Sequence, residues 1–344
     1  MKGTLRMTEQ PSKHHFLPVF YLKRWIGDDG RLVQFSRPYR EVKPLRRHPE
    51  GIGFITRLYT VEGLAPELAN EMEREFLSPV DSRAADALRI MIDTKKVDSL
   101  SAAQRIAWAA FLCSLLMRMP DDIYKLKKSL GTASNKAIPF FDALYRRIKP
   151  SEGPESAEEL LRPRMQGLTS GQAMRAVRRF IGDPRLTNGI AGMEWRIRIL
   201  HDACNELLTS DRPVAISHVL NATDSHLVLP IGPRTVFLAF RERAYADRLT
   251  DVSDELLATT INQFVVQNAT SFIYGRSDRQ LRFIENRMGT NRDEALMDRF
   301  TMMVNAADIG LDPSLVDWDE FELEANKAIE NVRTRANSNG NLSK

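Results

Sequence analysis

With 344 residues, 43% of them apolar and 27% charged, the chain has an ordinary globular composition and enough length for one large domain or two packed lobes. A formal net charge of +4 is a weak argument for a polyanionic partner. The longest apolar run, Ile106 to Met117 between Arg105 and Arg118, falls well short of a bilayer span and reads as a buried helix.

The first informative stretch is His14-His15-Phe16-Leu17-Pro18, running into Tyr21-Leu22-Lys23-Arg24-Trp25. Pro18 fits a first helical turn and Gly27 a stop, so 18–26 reads as a short helix with Pro18, Tyr21, Leu22 and Trp25 on one face. Asp28-Asp29-Gly30 is a turn signal, and extended stretches at 32–35 and 39–42 suggest a hairpin-like pair. The basic run 40–48, broken by Pro44 and Pro49, reads as a loop.

Helical periodicity starts at Pro66 and runs to about Ile92, with a break or kink at Pro79. Further helices are expected at 101–118, 121–130, 136–148, 156–163 and 170–182. From Met193 the pattern alternates, with Trp195, Ile197 and Ile199 opposite Glu194, Arg196 and Arg198. Short strands follow at 206–210, 227–230, 236–240 and 271–274, with a helix at 253–268. Helices at 290–305 and 317–336 and a frayed polar end complete the reading. Residues 305–344 hold eight acids and four bases, which leaves about +8 for the rest.

Cys113 and Cys204 lie in apolar surroundings without metal or redox spacing, as expected of a reduced cytoplasmic protein, and Met1 to Pro11 lacks the apolar core expected of a secretory signal. These patterns predict an α+β fold, mostly helical, with a small mixed or antiparallel sheet built from the N-terminal hairpin and the 193–275 strands. A single domain is expected over 1–344, with a largely helical lobe at 1–190 and a lobe of strands and helices at 191–344.

Several side chains are candidates for chemistry. His15 is suited to proton transfer or metal ligation, and the plainer reading is that it caps or orients the helix that starts at Pro18. Adjacent His14 points elsewhere, so the pair does not share a metal. Asp211, with Thr209 and Ser210, stands where a predicted strand stops, either as an acid at a sheet edge or in an Asx- or Ser/Thr-type turn. Glu73 and Asp81, eight apart, suit a Mg²⁺ or Mn²⁺ site if Pro79 permits, or simply a solvated helix face. Basic clusters occur at Arg40, Lys43, Arg46 and Arg47, at Lys125, Lys127 and Lys128, and at Arg175, Arg178, Arg179 and Arg185; nucleic acid is a possible partner, and a solubilising surface is the plainer reading.

The stretches His15…Pro18…Tyr21-Leu22…Trp25, Arg57-Leu58-Tyr59-Thr60, Thr209-Ser210-Asp211-Arg212-Pro213-Val214 and Leu229-Pro230, with Asn262 ahead of Tyr274, are colinear over roughly 13–280. Together they resemble the bacterial family known as domain of unknown function 4238. Glu73 and Asp81 fall where that family tends to carry acids, Asp81 being a departure if glutamate is required there. The resemblance implies almost nothing about activity.

Two functions follow as expectations. One is a ligand-binding or interaction protein whose polar residues, His15, Tyr21, Ser210, Asp211 and Asn262, converge on a pocket. The other is a metal-dependent hydrolase, with a nuclease acting on nucleic acid among the alternatives, in which Glu73, Asp81 and Asp211 are ligands and His15 is the proton shuttle. The second demands that at least three of those groups reach one cation.

Overall fold

The computed structural model describes residues 13–149, 153–202, 205–216, 223–248 and 251–291. Strand β1 (Lys13–His15) leads into helix α1 (Val19–Leu22), which tightens into a 3-10 turn at Lys23–Trp25; Pro18 caps this helix in an extended conformation. Strands β2 (Leu32–Ser36), β3 (Lys43–Arg47) and β4 (Phe54–Thr56) follow. Strand β1 pairs antiparallel with β4, placing His14 opposite Ile55.

The turn into β4 depends on Gly53. Its φ is +68°, and a Cβ there would lie 2.8 Å from Leu22 Cδ1 and 2.9 Å from the Leu17 carbonyl oxygen. Its own carbonyl accepts the amides of Phe16 and Leu17 at 2.9 and 3.1 Å, so this left-handed position fixes the head segment.

Helix α2 (Pro66–Ala69) precedes a π-helical stretch, Met72–Leu77, which continues into α3 (Ser78–Thr94). Pro79 has no amide to donate and its ring crowds the carbonyl four residues back; the widened turn before it keeps the helix continuous instead of breaking it. Helix α4 (Ala102–Met117) opens on a reciprocal capping box between Ser101 and Gln104 and is apolar nearly all round. The two helices expected at 121–130 and 136–148 are one, α5 (Pro120–Ile148), which carries Pro139 inside it.

Helices α6 (Ala157–Leu161), α7 (Met165–Ile181) and α8 (Pro184–Ala191) complete the helical half. The chain then forms β5 (Glu194–Ile199), β6 (Thr209–Ser210), β7 (Ala215–Ile216), β8 (His226–Gly232) and β9 (Thr235–Phe240). Helices α9 (Arg243–Arg248) and α10 (Asp254–Asn268), strand β10 (Phe272–Gly275) and α11 (Leu281–Glu285) close the described chain.

The α+β class holds, with three antiparallel sheets among the described residues instead of one: β1-β4, β3-β2-β10-β6 and β5-β9-β8-β7. The N-terminal hairpin does share a sheet with the late strands, through β10. The run 40–48 is corrected from loop to strand over Lys43–Arg47; Pro44 is tolerated there because β3 is an edge.

Two apolar seams hold these layers. Phe35, Ile273, Leu208, Val236, Leu238, Ile261 and Val265 bind α10 to the two larger sheets. On the other side Phe237 of β9 receives Trp108 of α4 and Trp195 of β5 edge-on, at ring separations of 5.6 and 5.0 Å. Full burial of such rings contributes roughly 2–3 kcal/mol each. Among the described residues no helix is long and apolar enough to cross a membrane. The helix expected at 290–305 from residue 292 on, the helix at 317–336, the acidic stretch and Cys204 lie outside the described residues.

Candidate functional site

The opening segment folds back onto the strand that precedes Asp211. Tyr21 donates its hydroxyl proton to the Pro230 carbonyl at 2.8 Å and so accepts from Thr209 Oγ1 at 2.7 Å. Trp25 donates from its indole nitrogen to the Leu207 carbonyl at 2.8 Å. Asn262 reaches the same strand from α10: its Oδ1 accepts the Leu208 amide at 2.8 Å, and its Nδ2 donates to the Glu206 carbonyl at 2.9 Å and to Gln280 at 3.1 Å.

Asp211 is the centre of this clamp. Its carboxylate accepts the amides of Thr270, Ser271 and Phe272 at 2.9, 2.6 and 3.0 Å, tying the end of β6 to the start of β10. Burial pushes the carboxyl up to about 6, against the pull of those amides and of Arg212. Ser210 Oγ accepts the Arg212 amide at 3.2 Å, the Ser/Thr-type turn allowed by the sequence. Arg212 in turn pairs with buried Asp122 on α5 at 2.7 Å. One hydroxyl here, that of buried Tyr274, has no hydrogen-bond partner.

A second polar cluster forms on the other side of the head. His14 is fully buried and neutral: its Nδ1 accepts the Tyr59 amide at 2.9 Å, so the proton sits on Nε2, which meets Asn70 Oδ1 at 3.1 Å. Its ring stacks on Tyr59, and burial lowers its pKa to about 4. The Tyr59 hydroxyl donates to the Arg118 carbonyl at 2.8 Å.

His15 faces the other way, and its backbone amide meets Glu73 Oε1 at 3.4 Å. Glu73 and Asp81 flank Arg118, whose side chain is fully buried at the end of α4 and whose Nη1 donates to both Asp81 oxygens at 2.9 and 3.1 Å. In a regular α-helix two residues eight apart diverge by about 80°. The π-helical stretch between them, in which Ser78 donates to the Glu73 carbonyl five residues back, absorbs one residue, and the divergence falls to about 20°.

The electrostatics follow from this enclosure. Burial raises the Glu73 carboxyl to about 7, which the nearby Arg118 charge opposes and Asp81 reinforces. Asp81 is raised by burial too, and His15 is lowered by burial and by Arg118. Four atoms in this cluster are buried with no hydrogen-bond partner: His15 Nε2, Glu73 Oε2, and Nε and Nη2 of Arg118. His15, Glu73 and Asp81 are themselves half-buried, so the cluster reaches the surface.

The expected metal set does not assemble. Glu73 and Asp81 do share a site, but its cation is the guanidinium of Arg118, paired with Asp81 and acting on Glu73 through charge alone, and Asp211 is taken up by the amides of residues 270–272. Among the described residues no group of three or more His, Cys, Asp or Glu side chains is placed to hold a metal ion. The geometric condition for a Mg²⁺- or Mn²⁺-dependent hydrolase is therefore unmet among them. Arg118, Asn70 and Tyr59 were not among the expected site residues. The one available signal for Arg118 was a charge at the very end of an apolar helix, just before Met119-Pro120.

The chain matches the family described as protein of unknown function (DUF4238) over residues 13–279. It belongs to that family. The match takes in both polar clusters, and no curated protein and no solved structure matches the chain.

Proposed function

We propose that this member of the family is a ligand-binding protein, and that its ligand carries a carboxylate or phosphate group which docks on Arg118. The supporting observation is which guanidinium atoms are left over. Nη1 is taken by Asp81, while Nε and Nη2, the two parallel donors on one edge of the group, are buried and unused. That edge is the fork that recognises a pair of oxygens bidentately. A buried donor without a partner costs about 1–3 kcal/mol, so a ligand that fills the fork recovers that amount.

His15 Nε2 and Glu73 Oε2 stand ready as further contacts. Because Arg118 is already neutralised by Asp81, an added anion favours the protonated form of Glu73, which exists on the acid side of about 7. Binding is then stronger at pH 6 than at pH 8, and weakens by up to about tenfold per pH unit above 7.

The test is a thermal-shift titration of the full chain with inorganic phosphate and, separately, with acetate. Wild type is expected to gain stability with anion concentration, by about 2.7 kcal/mol at a hundredfold excess over Kd. Arg118→Lys keeps a cation beside Asp81 but loses the fork, and should show no gain; Tyr21→Phe, in the other cluster, should keep it. A wild-type melting temperature that ignores both anions, or an Arg118→Lys protein that responds like wild type, refutes the reading.

A further inference from the structure

The basic character of the chain is local. Between residues 37 and 47 five bases stand against the single acid Glu41, a surplus of +4 that equals the formal net charge of the whole protein. The cations of this stretch divide sharply by use. Arg37 donates to the carbonyls of Glu285 and Met288, and Arg46 pairs with Asp29 at 2.5 Å. Arg40, Lys43 and Arg47 are exposed, and among the described residues no acid lies within ion-pair reach of them.

The other basic clusters are more committed. Lys127 donates to the Leu58 carbonyl, Arg178 pairs with Glu71 and Arg185 with Asp183.

Strand β3 displays the free cations in register. Lys43, Leu45 and Arg47 project from one face, opposite Ser36, Gln34 and Leu32 of β2, and Lys43 and Arg47 are roughly 13 Å apart along the strand. Just before it stands Tyr39, 86% exposed, and Tyr39, Arg40, Glu41 and Lys43 line a surface cavity of about 520 Å³. An aromatic ring left this bare has no packing role in the fold. Ring and cations side by side are what a flexible polyanion with stackable bases requires.

The edge itself disfavours the commonest rival occupant. A peptide adding to β3 as a further strand needs a continuous row of donors, and Pro44 withholds one. Paired bases in a duplex offer Tyr39 no open face. We propose that the β3 edge binds single-stranded nucleic acid, with Arg40, Lys43 and Arg47 on its phosphates and Tyr39 stacked on a base. This surface is separate from the Arg118 cluster and its occupancy does not depend on that cluster's ligand.

The test is fluorescence anisotropy of a labelled oligothymidylate with the full chain, first at low salt and then with rising salt. Tyr39→Ala, at a site too exposed to affect folding, is expected to weaken binding about tenfold. The double variant Lys43→Glu with Arg47→Glu is expected to abolish measurable binding at low salt. Conservative replacement of both by Gln should weaken binding and reduce the slope of log affinity against log salt by about 1.4, two phosphate contacts' worth. Failure of wild type to bind the oligonucleotide overturns the proposal. So does equal affinity in Tyr39→Ala and the double variant, or a preference for polyglutamate or for duplex DNA over the single strand.

Discussion

The head segment makes two polar contacts with the body, and they differ in how completely their hydrogen bonds are closed. Toward β6, Tyr21, Trp25, Asn262 and Asp211 meet backbone amides and carbonyls at 2.6–3.0 Å. Toward α3 and α4, His15, Glu73 and Arg118 keep four buried atoms unused. Polar groups whose partners are main chain hold the architecture together, since nothing can replace those partners without unfolding. Polar groups left open next to a fixed charge have capacity to spare, and that is where a ligand gains most. Adjacent residues fall on opposite sides of this divide: His14 is used up by Tyr59 and Asn70, whereas His15 is not.

The contrast breaks most visibly at Asp211. Asp211→Ala leaves three buried amides without an acceptor and is expected to cost about 3–5 kcal/mol, read as a large drop in the denaturant midpoint. A change of under 1 kcal/mol would mean that the clamp is dispensable. Next comes Tyr21→Phe, which strips the donor from the Pro230 carbonyl and the acceptor from Thr209; a loss of about 1–2 kcal/mol that does not vary between pH 5 and 8 is expected.

The smallest effect is the most discriminating one. The folded pKa of Glu73, about 7 against 4.5, means that the folded state holds the extra proton between those values, so its contribution falls as pH rises from 4.5 to 7. His14 acts with the opposite sign: lowered to about 4 from 6.5, it gives stability that is present above 6.5 and is lost as pH falls toward 4. Glu73→Gln should therefore stabilise by about 1–2 kcal/mol at pH 8 and by nothing at pH 4, and His14→Gln should remove the opposite slope. Denaturant melts across pH 4–8 measure both, and a Glu73→Gln protein with an unaltered pH profile would place that carboxyl in water.

Much of the architecture was legible because its signals are local. The alternation from Met193 marked β5, the apolar run marked α4, and the Thr-Ser-Asp-x-Pro stretch announced both a strand end and a turn. Of the residues expected to converge, Tyr21 and Asn262 do meet the strand that carries Ser210 and Asp211, whereas His15 stands with Glu73 in the other cluster. The Arg118 site was not legible in that way. Glu73 and Asp81 were visible as acids, but a pair of carboxylates suggests a metal, and the arginine that pairs with Asp81 comes from a different helix. The widened turn that aligns them leaves no compositional trace beyond Pro79. Strand β3 was misread for a related reason: prolines and charges signal loops on average, while a sheet edge accepts both.

That widened turn is also what lets the helix carry one residue more than its register needs. Wound as an ordinary α-helix, the same residues would turn Glu73 by about 100° relative to Asp81. Deleting a single residue between Glu73 and Asp81 would remove the widened turn and the surplus together, and the two acids would still lie within about 20° of each other. In this helix the winding, and not the residue count alone, decides whether two acids address the same partner.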